Sequence, residues 1–142
     1  MSKAAFNHFA AIPDVFSSLE NVHTFIDAHG LDRVIYHLVH LRASQLNSCA
    51  YCVKMHTREA RADGETNERL DRLVVWENVS DFTEKERAAL AWTELLTSLD
   101  PKGDYGPARM RLREHFSETE ASALTATIAM VNLWNRIQVS SH

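Results

Sequence analysis

The stretch Leu41-Arg-Ala-Ser-Gln-Leu-Asn-Ser-Cys-Ala-Tyr-Cys-Val-Lys-Met-His56 holds both cysteines of the chain, three residues apart. The pattern predicts a helix ending near Leu46, a short break at Asn47 and Ser48, and a new helix starting near Cys49 and running to about Ala62. Asn47 and Ser48 are candidate N-caps for that new helix, because a short polar side chain can accept from its first free N–H groups. At about 100° per residue, Cys52 lies about 60° and His56 about 20° from Cys49 on the helical wheel. Glu59 extends the same face. One stripe thus carries two sulfurs, an imidazole and a carboxylate. Cα atoms three apart in a helix are about 5 Å apart, inside the disulfide range.

The chemistry follows from that placement. Cys49 sits at a helix start, where free N–H groups and the helix dipole favour an anion and so a thiolate. His56 can take a thiol proton or, once charged, stabilise the thiolate. Glu59 can orient or charge His56. On the preceding helix His37, His40 and Ser44 share one face, and His37 becomes a candidate base if that face meets the cysteines. Tyr51 falls about 200° from Cys49, away from the stripe.

Outward from this centre the chain reads as helices. Val15, Phe16, Leu19, Val22, Phe25 and Ile26 give a helix from Pro13 to about His29, ended by Gly30. Asp32 caps the next helix, with Val34, Ile35, Leu38, Leu41 and Leu46 apolar. A short helix spans about Glu68–Glu77. Thr83 with Glu86 and Ser117 with Glu120 form capping boxes that open helices over about Glu84–Leu99 and Glu118–Val139. Asp100–Pro107 is a loop, followed by a short helix with Met110 and Leu112. Four Gly and three Pro are too few for many turns, and no period-2 strand is present. The expected class is all-α, in one domain over 1–142, with its cysteine-bearing centre at about 31–99. Trp76, Trp92 and Trp134 read as core or interface.

Composition bounds the function. With 45% hydrophobic and 24% charged residues the chain is globular. A net charge of −4 argues against nucleic-acid binding through a general basic surface. No apolar run reaches the about 18 residues of a membrane span, and Met1–Ala11 lacks the apolar centre of a signal peptide. The expected location is the cytoplasm, where a lone cysteine pair is redox-active or metal-binding rather than a structural staple. A zinc site would need a fourth ligand from His37, His40 or Glu59. Two ordinary buried cysteines are the remaining bland alternative.

The quoted stretch, as LRASQxNxCxYCxxxH, resembles the AhpD-like alkylhydroperoxidases of the carboxymuconolactone decarboxylase superfamily. The similarity continues through Thr57-Arg-Glu-Ala-Arg61, Gly64-Glu65, Trp76, Phe82-Thr-Glu-Lys-Glu-Arg-Ala-Ala-Leu-Ala-Trp92 and Asn132-Leu-Trp-Asn-Arg136. The resemblance implies an AhpD-like helical fold assembled as trimers or hexamers, and reduction of organic hydroperoxides by the cysteine pair. It implies that Cys52 attacks the peroxide and Cys49 resolves the sulfenic acid. His56 and Tyr51 then share a proton relay, Glu59 matches a further acidic residue of some members, and a dihydrolipoyl or thioredoxin-like protein returns the electrons. No nucleotide or flavin cofactor and no metal is implied.

Two positions depart from the pattern. His37 stands where an acidic base is usual, twelve residues before Cys49, and its ordinary pKa of about 6.5 differs from about 4.3 for Glu. Ser48 stands where Gly is common. A non-enzymatic redox sensor or binding module is the alternative reading. A lactone decarboxylase-type lyase is a weaker one, since such enzymes generally lack the CxxC.

Overall fold

The computed structural model describes residues 4–141. Among them the elements are helices alone: α1 (His8–Ala11), α2 (Pro13–Asp27), α3 (Arg33–Leu46), α4 (Ala50–Ala62), α5 (Asn67–Arg72), a 3-10 helix (Leu73–Asn78), α6 (Glu84–Thr97), α7 (Gly106–His115) and α8 (Glu118–Ser140). The all-α expectation holds. Single-turn α1 has no counterpart in the sequence reading. The helix expected over Glu68–Glu77 divides after Arg72 into α5 and the 3-10 segment, which is itself kinked where Val75 leaves helical geometry. The reading of Met1–Ala11 falls partly on residues outside those described.

Several starts and stops follow local chemistry. Asp32 caps α3, its carboxylate accepting from the N–H groups of Val34 and Ile35. Both capping boxes form in full, at Thr83–Glu86 and Ser117–Glu120; each cap contributes about 1 kcal/mol. Gly64 ends α4 at φ +95°, in the left-handed region that an L side chain enters at a cost.

Helix α3 is the central element, packed on α4, α6 and α8. Its two sides feed two apolar clusters. Ile35 and Val39 join Ala88, Ala89, Trp92, Leu112, Phe116, Leu124 and Ile128. Leu38 and Leu41 join Ala60, Leu70, Leu73, Trp76, Phe82 and Leu90. Each fully buried leucine contributes about 1.5–3 kcal/mol through removal from water. Trp76 and Trp92 are core residues, as expected. Glu94 ties the second cluster together, accepting from both Trp76 Nε1 and Arg42 Nε at 2.9 Å.

Helix α2 behaves differently. Of its apolar positions only Phe16 and Ile26 are buried, while Val15, Val22 and Phe25 face out of the single chain. It rests on α1 and α8 and carries side chains to the edge of the cavity described below.

Candidate active site

The break before the cysteines is a helix terminus of a specific kind. Asn47 is the C-cap of α3, and Ser48 takes φ +54°. The Ser48 N–H donates to Gln45 O and the Cys49 N–H donates to Ser44 O, both at 3.1 Å. That pair of bonds is a Schellman motif, which calls for a left-handed residue where Ser48 stands. This explains why Gly suits the position. It also corrects the expectation that Asn47 or Ser48 caps the following helix: both are spent on closing α3. The N-cap of α4 is Cys49 itself, in extended geometry, with Sγ accepting from the Cys52 N–H at 3.3 Å.

Asn47 is fixed from below. Its Nδ2 donates to Asn132 Oδ1 and Asn135 Oδ1, each at 2.9 Å. Asn135, fully buried, donates in turn to Ser44 Oγ at 3.0 Å. A polar network from α8 thus holds the turn that presents Cys49.

Cys49 and Cys52 are disulfide-bonded, with Cα atoms 5.2 Å apart. Each is only 2% exposed. Cys52, in the first turn of α4, opens onto a cavity of about 320 Å³ together with His56, Glu59 and Tyr51. Cys49 is not among its lining residues. The wheel angle for Tyr51 misleads because Cys49 is a cap outside the helical screw. Counted from Cys52, Tyr51 is only about 100° away, and it stands at the cavity rim, half exposed.

His56 is buried, and burial lowers its pKa from the ordinary value. The Glu59 carboxylate opposes that shift, while His37 adds to it. His56 Nδ1 lies 3.5 Å from Glu59 Oε2, an ion-pair distance. The geometry does not make a hydrogen bond, and Nδ1 is otherwise without a partner.

His37 is brought near but not into the cavity. It is buried with Nε2 at 2.6 Å from Asp63 Oδ2, and Arg33 Nη2 donates to the same oxygen at 3.1 Å. These two contacts hold the Asp63 carboxyl below its usual range. His37 instead lines a separate cavity of about 360 Å³ with Arg33, Asp63 and Arg69. A carboxylate therefore does stand by position 37, supplied by the C-cap of α4.

His40 faces the cysteines' cavity, its ring centroid 4.7 Å from that of His56. The wheel had grouped it with His37 without separating the two. His23 and Glu20 of α2 and Trp134 of α8 also line the cavity, with Trp134 Nε1 donating to His23 Nε2 at 2.7 Å. No local spacing ties residues 20, 23 and 134 to Cys52; only the folding of α2 and α8 against α3 and α4 does. Among the described residues, no three His, Cys, Asp or Glu side chains are gathered as a metal ion would need. Nor is any helix long and apolar enough to cross a membrane.

Comparison with known proteins agrees with this architecture. The model of the carboxymuconolactone decarboxylase family matches residues 13–95. YdfG of Bacillus subtilis (strain 168), an uncharacterised protein, is 30% identical over 134 residues, spanning 94% of this chain and 91% of its own. The crystal structure of ATU0492 from Agrobacterium tumefaciens, a protein of unknown function provisionally grouped with the antioxidant defence protein AhpD, superposes with a TM-score of 0.92 at 36% identity. That match covers 98% of this chain and 95% of the other. An uncharacterised peroxidase-related protein from Ralstonia eutropha JMP134, described as an alkylhydroperoxidase AhpD core, gives a TM-score of 0.75 at 25% identity. There 90% of this chain and 68% of the other are covered. With the family model spanning more than half its length and the AhpD-like fold matched throughout, this chain belongs to the carboxymuconolactone decarboxylase family.

Proposed function

We propose that this protein is a CxxC-dependent thiol peroxidase that reduces organic hydroperoxides in antioxidant defence. One observation carries the reading: Cys52, His56 and Glu59 open onto a single cavity, with Cys49 bonded to Cys52 from one turn away. The likeness to ATU0492 supports it.

In the reduced protein His56 takes the Cys52 proton, and the start of α4 favours the resulting thiolate. The thiolate attacks the terminal oxygen of the hydroperoxide. The O–O bond breaks, its electron pair leaves on the alkoxide, and the alkoxide takes the proton from His56. Cys52 becomes a sulfenic acid. Cys49 then condenses with it, releasing water and closing the disulfide before further oxidation. Glu59 supports the charged form of His56, as its opposition to burial indicates. Tyr51 relays protons at the rim. His37 acts from behind the site, adding to the lowering of the His56 pKa. Phe9, Tyr36, Met55 and Trp134 give the cavity apolar walls that suit the carbon body of an organic hydroperoxide.

A dihydrolipoyl or thioredoxin-like protein reopens the disulfide by thiol exchange. The protein works in the cytoplasm as a homo-oligomer, trimer or hexamer, whose contacts cover the outward Val15, Val22 and Phe25 of α2.

A second reading, a redox sensor without turnover, draws on the burial of both sulfurs, which slows exchange with any protein reductant. One experiment separates the two. The protein is reduced, freed of reductant and given one equivalent of an organic hydroperoxide while thiols and peroxide are followed. Loss of two thiols per peroxide, much faster than with a free thiol in buffer, supports the peroxidase. Oxidation no faster than that of the free thiol refutes it and leaves the sensor.

A further inference from the structure

His40 has no part in the scheme above, yet it is the side chain of α3 whose ring lies tilted against that of His56 at the cavity wall. Its ring is 3% exposed as a residue and its Nδ1 is 2.8 Å from the Tyr36 carbonyl oxygen. A carbonyl only accepts, so Nδ1 carries the proton and donates. In the neutral ring Nε2 is then a bare lone pair. Burial first, then the nearby charge of His56 and, further down, of His23 and His37, lowers the pKa of His40 to about 3, while its bond to Tyr36 opposes the shift. The groups gathered here are Glu20 and His23 from α2, Tyr36 and His37 from α3, His56 and Glu59 from α4, and Gln138 from α8. At any working pH His40 is an acceptor and not a proton store.

An organic hydroperoxide has one donor, its O–H. In a cavity with a thiolate, that donor would turn to the sulfur and place hydrogen, not oxygen, against the nucleophile. A neutral acceptor on the wall of the same cavity removes the conflict. We propose that His40 Nε2 accepts the O–H of the bound hydroperoxide and so turns its terminal oxygen toward Cys52. This rests on the peroxidase reading. The bond balance is that given above: sulfur gains the hydroxyl, the O–O pair leaves on the alkoxide, and the proton that His56 took from Cys52 completes the alcohol. His40 neither gains nor loses a proton, and it holds the same O–H in the sulfenic acid.

The test uses the Cys49→Ser protein, in which Cys52 is the one thiol, carrying His40, His40→Gln, His40→Asn or His40→Leu. Two rates are measured across pH: oxidation of Cys52 by cumene hydroperoxide, and its alkylation by N-ethylmaleimide, which has no O–H or N–H to be held. His40→Leu and His40→Asn, whose amide oxygen reaches only the Nδ1 position, should lower the peroxide rate about ten-fold or more. His40→Gln, whose oxygen reaches the Nε2 position, should recover most of it. The alkylation rates should stay within about two-fold throughout and their pH midpoint should not move, a constancy that a merely structural role would not give. Peroxide and alkylation rates falling together would overturn the assignment, as would an unchanged peroxide rate or equal behaviour of Gln and Asn. If the protein with His40 intact alkylates normally but meets peroxide no faster than free cysteine does, the peroxidase reading itself fails, and this inference with it.

Discussion

Lowering the pH from 7 to 5 should destabilise the fold through His40, by an amount the structure sets. Folded His40 stays neutral because burial lowers its pKa to about 3. In the unfolded chain the same ring titrates near its ordinary value of about 6.5. A depressed folded pKa means that the stability is complete above the unfolded value and is lost as the pH falls toward the folded one. At pH 5 the unfolded state gains a proton that the native state refuses, and linkage makes this worth about 2 kcal/mol, against about 0.2 kcal/mol at pH 7. The assay is urea denaturation followed by tryptophan fluorescence at both pH values, disulfide intact, for wild type and His40→Gln. His56 is lowered in the same direction and is coupled to His40 through their contact, so the same comparison is repeated with His56→Gln in both proteins. Wild type should lose roughly 2 kcal/mol more than the variant between the two pH values. Equal losses would show that His40 takes up a proton in the folded protein, and would refute the neutral acceptor built on it.

Three other outcomes follow from particular contacts. Ser48→Gly should raise stability by about 1 kcal/mol in the same denaturation assay, because Ser48 sits at φ +54° within a Schellman turn. Asn135→Ala should lower it by about 2–3 kcal/mol, since it strips partners from buried Ser44 and from Asn47; disulfide closure after peroxide addition, followed by thiol counting, should slow as the turn before Cys49 loosens. Glu59→Gln should move the pH midpoint of Cys52 oxidation downward. The Glu59 carboxylate opposes the effect of burial on His56, so its removal lets His56 lose its proton at lower pH, and stopped-flow rates across pH would show the shift.

The gathering of Cys52, His56 and Glu59 on one cavity is legible in the sequence because it is local. Cys52, His56 and Glu59 share one helix, and a helical period is enough to put them on one side. The caps were legible for the same reason: Asp32, Thr83–Glu86 and Ser117–Glu120 act within one turn of themselves. The errors arose where a local rule was applied across a boundary. Asn47 and Ser48 suit the N-cap of α4 by residue type, but the left-handed Ser48 shows that they end α3. The helical wheel turns Tyr51 away from the sulfurs only if Cys49 is a helical residue, and Cys49 is the extended N-cap of α4. The choice between His37 and His40 depends on the roll of α3 over α4, which places His37 on Asp63 and His40 on His56. Periodicity within α3 does not carry that angle. The contributions of His23, Glu20 and Trp134 depend on chain folding over more than a hundred residues, from α2 to α8.

The most direct test of the account is the identity of the sulfur that first receives oxygen. One equivalent of cumene hydroperoxide is added to reduced Cys49→Ser and Cys52→Ser proteins, a sulfenic-acid trap follows, and peptide mass spectrometry locates the adduct. The account predicts a trapped Cys52 in the first protein and no peroxide-dependent adduct in the second. An adduct on Cys49 in the Cys52→Ser protein, formed as fast as on Cys52, would contradict it.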